Sequence, residues 1–528
     1  MLAALMLSVT GCAQTEAANE PAASSAETAA QTESLESVPE SSSIETETEE
    51  TDSLESFSSA SPTDLVGTGE AFTASEDNTH ALSADGETLS YDNISVTKTG
   101  GGEGDKADFY GTNAAIFAEN GAELSITNSY VNTAGSHANA VFSYGEGTVI
   151  NISDSVIETS ENTSGGIMVT GGGSLNAEDL SVTTQGGSSA AIRSDRGGGT
   201  MNVNGGTYKS YGSGSPAIYS TADVTVSNAE LYSDISQAVV VEGKNSVTLN
   251  NTNAVGKNTN KNSDKSDYYQ AVMIYQSMSG DAAEGKGSFT MNGGSLTSLN
   301  GGMFFVTNTV AEINLDNVEL NYDSDDLLRI CSAGWGNTGV NGGQVTVNAK
   351  DQSLKGIITV DDVSNLNLLL SGSSSFEGSI DNTGEVYVEL HDQAVWKLTA
   401  DSSITSLSCS AEAIDLNGFT LTVNGQEYAE GTASEGTAIE VKITEHSAHG
   451  GDGPENGSSA HGPGGSGEKK PDQRPGQGPD DPGQKSGQDD PGHGPGKNMP
   501  EHAFSGQDGH PAPPDADKND KSSLLEQS

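Results

Sequence analysis

The chain has 528 residues, 66 of them glycine, with 18% charged residues and a formal net charge of −53. With 75 acidic against 22 basic side chains, it is repelled by phosphate backbones and by anionic lipid, which excludes nucleic-acid binding and docking on a lipid surface as its main business. What remains is a solvent-facing surface protein suited to cations or neutral sugars.

The N-terminus reads MLAALMLSVTGC. Its apolar run ending in Val9-Thr10-Gly11-Cys12 resembles the bacterial lipobox. The resemblance implies a signal peptide over residues 1–12 and lipidation of Cys12. It also implies display on the extracellular face of a cell membrane touched only through the anchor. Leaders of this kind carry a basic n-region, whereas here no Lys or Arg precedes Lys98; a start codon assigned too late accounts for the gap. Residues 13–61 are Ser, Thr, Glu and Ala without a basic residue. They hold too little apolar surface to offset the entropy of ordering, so a disordered acidic tether is expected.

From residue 62 to 446 one phrase recurs: apolar–x–apolar–x–Asn/Asp/Gly–x–x–apolar. It reads LSYDNISV from Leu89, LSITNSYV from Leu124, LNAEDLSV from Leu175, VTVSNAEL from Val224 and INLDNVEL from Ile313. The fifth position forms a column: Asn93, Asn128, Asp154, Asp179, Gly205, Asn228, Asn251, Gly293 and Asn317. Most steps are 23 to 26 residues, the period of a solenoid. The short alternating runs are strands. Asn, Asp and Gly tolerate the positive φ that bends the chain between two strands without reversing it.

A second column, small then apolar, precedes each phrase: Ala115-Ile116, Ala140-Val141, Gly166-Ile167, Ala191-Ile192, Ala217-Ile218, Ala238-Val239, Ala271-Val272, Gly302-Met303 and Gly356-Ile357. Each coil therefore holds three strands, and about a dozen coils fit between Leu82 and Val423. The rod is about 55 Å long at the strand spacing. The fold class is all-β: a right-handed parallel β-helix solenoid flanked by disordered termini.

The three-strand coil, the bend column and the Gly-rich turns resemble the pectate-lyase-like superfamily over residues 82–423. That superfamily includes pectate and pectin lyases, polygalacturonases, tailspikes, adhesins and non-catalytic carbohydrate-binding proteins, so the resemblance implies a fold and leaves the activity open. The polygalacturonase blocks are not assembled: the one Gly-His-Gly, at 492–494, lies in the C-terminal tail, and Asp325-Asp326 and Asp361-Asp362 stand without the accompanying motifs. Lyases of this family pair a calcium cluster with a basic residue, and the rod has three arginines, Arg193, Arg196 and Arg329. A binding or adhesion protein recognising a glycan or another surface polymer is the reading these observations favour. A polysaccharide lyase or glycoside hydrolase and a structural stalk are the alternatives. No catalytic residue is assigned.

The densest charge cluster opens the small-apolar strands. Aligned on the small residue, Asp195, Thr221 and Glu242 stack in one column, with Arg193, Arg196, Tyr219 and Lys244 beside them. These seven are the candidate ligand-binding residues. A self-compensating ladder, Asp195 with Arg196 and Glu242 with Lys244, is the structural alternative. One residue past the core-facing column run Phe117, Phe142, Met168, Arg193, Tyr219, Val240, Met273 and Phe304. Strand alternation turns them outward, which predicts an exposed apolar stripe suited to sugar rings, unless loops cover it. The insertions at Thr97–Gly111, Lys257–Tyr269 and Cys331–Gly343 supply Phe109, Tyr110, Tyr268, Tyr269 and Trp335 near that face.

No cofactor is expected; calcium has one candidate turn, Asp323-Ser324-Asp325-Asp326, whose spacing matches no dedicated calcium loop. Cys331 and Cys409 lie several coils apart and are expected to be buried and unpaired. An exported chain without disulfides suits a Gram-positive cell. Residues 447–528, rich in Pro, Gly, Asp and His, read as a disordered tail.

Overall fold

A computed structural model describes residues 66–260 and 265–442. The lipobox, Cys12, the tether and the tail lie outside the described residues. Within them the chain winds as a right-handed parallel β-helix.

One coil shows the logic. Ile167–Thr170, Gly173–Glu178 and Ser181–Thr184 follow one another, and each pairs in parallel with its counterpart one coil before and one coil after. Between the second and third strands Asp179 sits at φ 48°. The rest of its column does the same, from Asn93 at 56° to Asn317 at 51°, and Asp351 extends it at 49°. The left-handed residue turns the chain through the corner while backbone N–H groups bond carbonyls of the neighbouring coil, as Asp179 N does with Asn204 O at 2.9 Å.

Inside, equivalent residues stack in register. Leu124, Ile150, Leu175, Met201, Val224, Val247, Phe289 and Ile313 form one such column, all at most 1% exposed. Burying one of these side chains contributes about 1.5–3 kcal/mol, and the column repeats it coil after coil. Polar turns are satisfied by serine ladders. Ser164 N donates to Ser189 Oγ at 2.9 Å and Ser189 N to Ser215 Oγ at 2.8 Å.

Two differences from the sequence reading stand out. The first insertion folds into a seven-residue helix, α1 (Gly104–Tyr110), ended by Gly111 at φ 69°. The small-apolar column slips at the eighth coil: Val272 pairs with Phe304 and Met273 with Phe305, so Phe304 points into the core and Phe305 outward. The slip recurs at the next turn, where Leu328 pairs with Ile358 rather than Ile357. Cys331 and Cys409 are buried and not joined in a disulfide, as expected. At the C-terminal end Leu421–Val423 pairs with Ser402–Ile404 in parallel and with Gln426–Glu427 in antiparallel fashion, and Leu421 and Tyr428 close the core.

Candidate functional site

The outward face of the small-apolar strands carries the predicted cluster, and its orientation is as expected: the stripe residues do not belong to the core inside the coils, Phe304 excepted. The expected exposure does not hold. Phe117 is 5% exposed, Phe142 and Met168 are fully buried, and Met273 is 2% exposed. The insertions lie on the stripe and turn it into two small external cores. Phe117, Phe142 and Met168 pack with Ala114 and Tyr144 under the first insertion. Thr170 Oγ1 ties that insertion down by donating to Phe109 O at 2.7 Å. Gly111 makes the approach feasible, since a Cβ there would stand 2.5 Å from the Phe117 ring. Val240, Met273, Phe305, Cys331 and Trp335 form the second core, with Tyr219, Tyr268 and Tyr275 at its margin. The Asn341 amide fixes the Trp335 loop through the carbonyls of Ala333 and Trp335 at 2.7 and 2.8 Å.

Between the two cores lie the predicted charged residues, brought together in the column the alignment gave: Tyr219 pairs with Val240 and Ser220 with Val241, which sets Thr221 opposite Glu242. Their partners differ from the expected ladder. Asp195 pairs with Arg193 at 3.2 Å, and both are at most 7% exposed. Arg193 Nη1 also reaches Asn139 Oδ1 at 3.4 Å. Asp195 accepts a further bond from Arg196 N at 3.0 Å. Burial pushes the Asp195 carboxyl up to about 6; Arg193 opposes the shift and Asp281 adds to it.

The Arg196 side chain turns away to Asp281, with Nε–Oδ1 at 2.9 Å, and its guanidinium lies 3.9 Å from the centre of the Phe109 ring. It thus bridges α1 to the segment Ser277–Ala282. Glu242, 1% exposed, accepts from Tyr219 OH at 2.5 Å, from Ser277 N at 3.3 Å and from Ser277 Oγ. Burial, with the charge of Glu242 nearby, holds the Tyr219 and Tyr275 hydroxyls well above their usual pKa. Thr221 is held by Ser194 Oγ, which accepts from Thr221 N at 2.7 Å. Lys244 is exposed and its backbone N–H donates to Ala283 O at 2.9 Å.

The arrangement is chemically saturated. Both carboxylates are spent on protein donors beneath loops. Asn139, Tyr275, Ser277 and Asp281 complete the cluster and were not foreseen: Tyr275 occupies the column position after Glu242, but nothing in the sequence marks a loop for folding back. Among the described residues no group of three or more His, Cys, Asp or Glu is placed to hold a metal. In the Asp-rich turn, Asp326 receives both of its bonds, at 2.8 Å, from Arg329.

The opposite situation holds on the outer face of the strand before the bend. It is open at Asn176 and Asn202, whereas towards its C-terminal end the residues around Ile439 and Lys442 lie across it, with Ile439 N donating to Asn367 Oδ1 at 2.9 Å and Lys442 N to Gln344 Oε1 at 2.8 Å. Asn151, Asn176 and Asn202 stack there, with amide-to-amide bonds of 2.9 and 3.1 Å, and Asn176 and Asn202 are exposed. Thr225, Thr248, Thr290, Asn314 and Asn348 continue the column, with Asn314 bonded to Thr290 at 3.1 Å and Asn348 to Asn314 at 2.8 Å. This ladder occupies the first x of the recurring phrase, a column the sequence analysis did not single out. No family model, curated protein or solved structure matches the chain.

Proposed function

We propose that this protein is a lipid-anchored surface rod that binds a neutral, hydroxyl-rich polymer along the outer face of the strand before the bend. The uncovered Asn/Thr ladder supports this reading. An Asn amide has two N–H donors and two lone pairs on its oxygen. Stacking uses at most one of each, so every Asn rung keeps a donor and an acceptor for a ligand. A sugar hydroxyl both donates and accepts, and it meets that pattern at each Asn rung, neighbouring rungs being about 4.8 Å apart. Contacts of this kind are individually weak and gain strength from repetition along a rigid rod. The net charge of −53 disfavours acidic polymers and leaves neutral glycans as the favoured class.

Retention of the full chain on insoluble neutral and acidic polysaccharides, with released reducing and unsaturated ends assayed in parallel, tests the proposal. Retention on neutral polymer without turnover is expected, and it should drop at least tenfold in the Asn176→Ala/Asn202→Ala double variant with the far-UV circular dichroism unchanged. Turnover would make the protein an enzyme, and no retention on any polymer would leave it a stalk. Cys12→Ala should move the protein from the membrane fraction to the medium.

A further inference from the structure

The first coil departs from a pattern that three later coils share. At the inner end of the strand after the bend stand Thr159, Thr184 and Ser210, whose hydroxyls donate to the carbonyls of Ser164, Ser189 and Ser215 at 2.6, 2.5 and 2.7 Å. In the first coil these two places hold Lys98 and Asn113, both with no exposed surface. Lys98 Nζ donates to Glu76 O at 2.8 Å and to Gly100 O at 2.9 Å. Among the described residues no carboxylate lies within ion-pair distance of it.

Asn113 Nδ2 donates to the same Gly100 oxygen at 3.1 Å, so amine and carboxamide converge on one carbonyl. The Asn113 Oδ1 accepts from the Asn78 N–H at 2.9 Å. A buried ammonium without a paired anion is costly. Burial lowers the pKa of Lys98 against the opposing charges of Asp77 and Glu76, which enlarges the share of free amine.

We propose that Lys98 and Asn113 are joined by an intramolecular isopeptide bond. The free amine Nζ attacks Cγ of Asn113, and the Asn78 N–H faces the oxygen on which negative charge develops. The Cγ–Nδ2 bond then breaks, and Nδ2 leaves as ammonia with a proton surrendered by Nζ. In sum an alkylammonium and a carboxamide become a secondary amide and an ammonium ion, with no oxidant, metal or cofactor. The reaction removes the uncompensated charge from the interior. The product ties the strand Ser95–Lys98 to the far end of the insertion that carries α1.

Peptide mapping of the purified full chain by tandem mass spectrometry decides the matter. The expected result is a branched peptide joining Lys98 to Asn113, lighter by one ammonia than its two parts, with no tryptic cleavage after Lys98. Lys98→Met and Asn113→Ala should each abolish the mass loss. Cleavage after Lys98 with both peptides at their unlinked masses would overturn the proposal, even if neither variant folds. A mass loss that persists in Asn113→Ala would also overturn it, placing the ammonia loss at another asparagine.

Discussion

The pairing of Asp195 with Arg193 predicts a pH dependence of unusual sign. In the folded chain the carboxyl is pushed from 3.8 to about 6, so the native state binds its proton more tightly than the unfolded chain does. Stability from this group is then fully present below about pH 3.8 and is lost as pH rises through about 6. A shift of about two units at 1.36 kcal/mol each amounts to about 3 kcal/mol. Asp195→Asn removes the titration and leaves Arg193 without its counter-charge. Because the arginine stays protonated throughout, that second effect is an offset that does not vary with pH. The difference in unfolding free energy, variant minus wild type, should therefore move in favour of the variant by about 3 kcal/mol from pH 3.5 to 7. Urea melts of the full chain at half-unit steps measure it. Trp335 reports the second external core and Trp396 the rod interior. A flat difference would mean that the attraction of Arg193 balances burial, and one that moves against the variant as pH rises that it outweighs burial; either would refute the reasoning.

Two further perturbations test how the loops are held. Gly111→Val places a Cβ 2.5 Å from the Phe117 ring at φ 69°, a strain of about 1–3 kcal/mol before the clash is counted; protease should cut the Thr97–Gly111 insertion faster while the rod keeps its far-UV spectrum, and unchanged cleavage would show that α1 does not depend on that contact. Arg196→Ala removes both the Asp281 ion pair and the contact with Phe109, which should cost about 1 kcal/mol globally yet raise hydrogen exchange in α1 and in Ser277–Ala282 together; a rise in only one of the two would mean that Arg196 does not couple them.

The repeating phrase made the fold legible because each of its positions answers to a local rule. Alternation sets which side chains enter the coil, and a left-handed φ at Asn93, Asp154 or Asn228 needs a residue that accepts it. The outward direction of Phe117 and Tyr219 followed from the same alternation. Their burial did not follow, because it depends on where an insertion lands, and the sequence of Lys257–Tyr269 or Ser277–Ala282 carries no period to read. The one-residue slip at Phe304 has a similar origin: Gly302 and Met303 satisfy the small-apolar pattern, but the register is fixed by Val272 beside it.

The same contrast bears on where function should be sought. An aromatic stripe on a sheet is apolar surface that water disfavours, and a chain with long insertions at hand can lower its free energy by folding them over it. Here the insertions do so, and the arginine and carboxylates caught between them find protein partners rather than ligands. A ladder of Asn and Thr gains nothing comparable from being covered, because burying it would require a new partner for each donor and acceptor. It stays open for the reason that the stripe closes. In a β-helix with insertions, the aromatic columns are therefore the places where loops dock, and the uncovered polar columns are the places where a hydroxyl-rich polymer can lie. The neutral-polysaccharide test distinguishes these roles, since Asn176 and Asn202 lie on the open face and Tyr219 on the covered one. If Tyr219→Ala weakened retention while the two Asn variants left it unchanged, the loops would have to open in solution and the open-face assignment would fall.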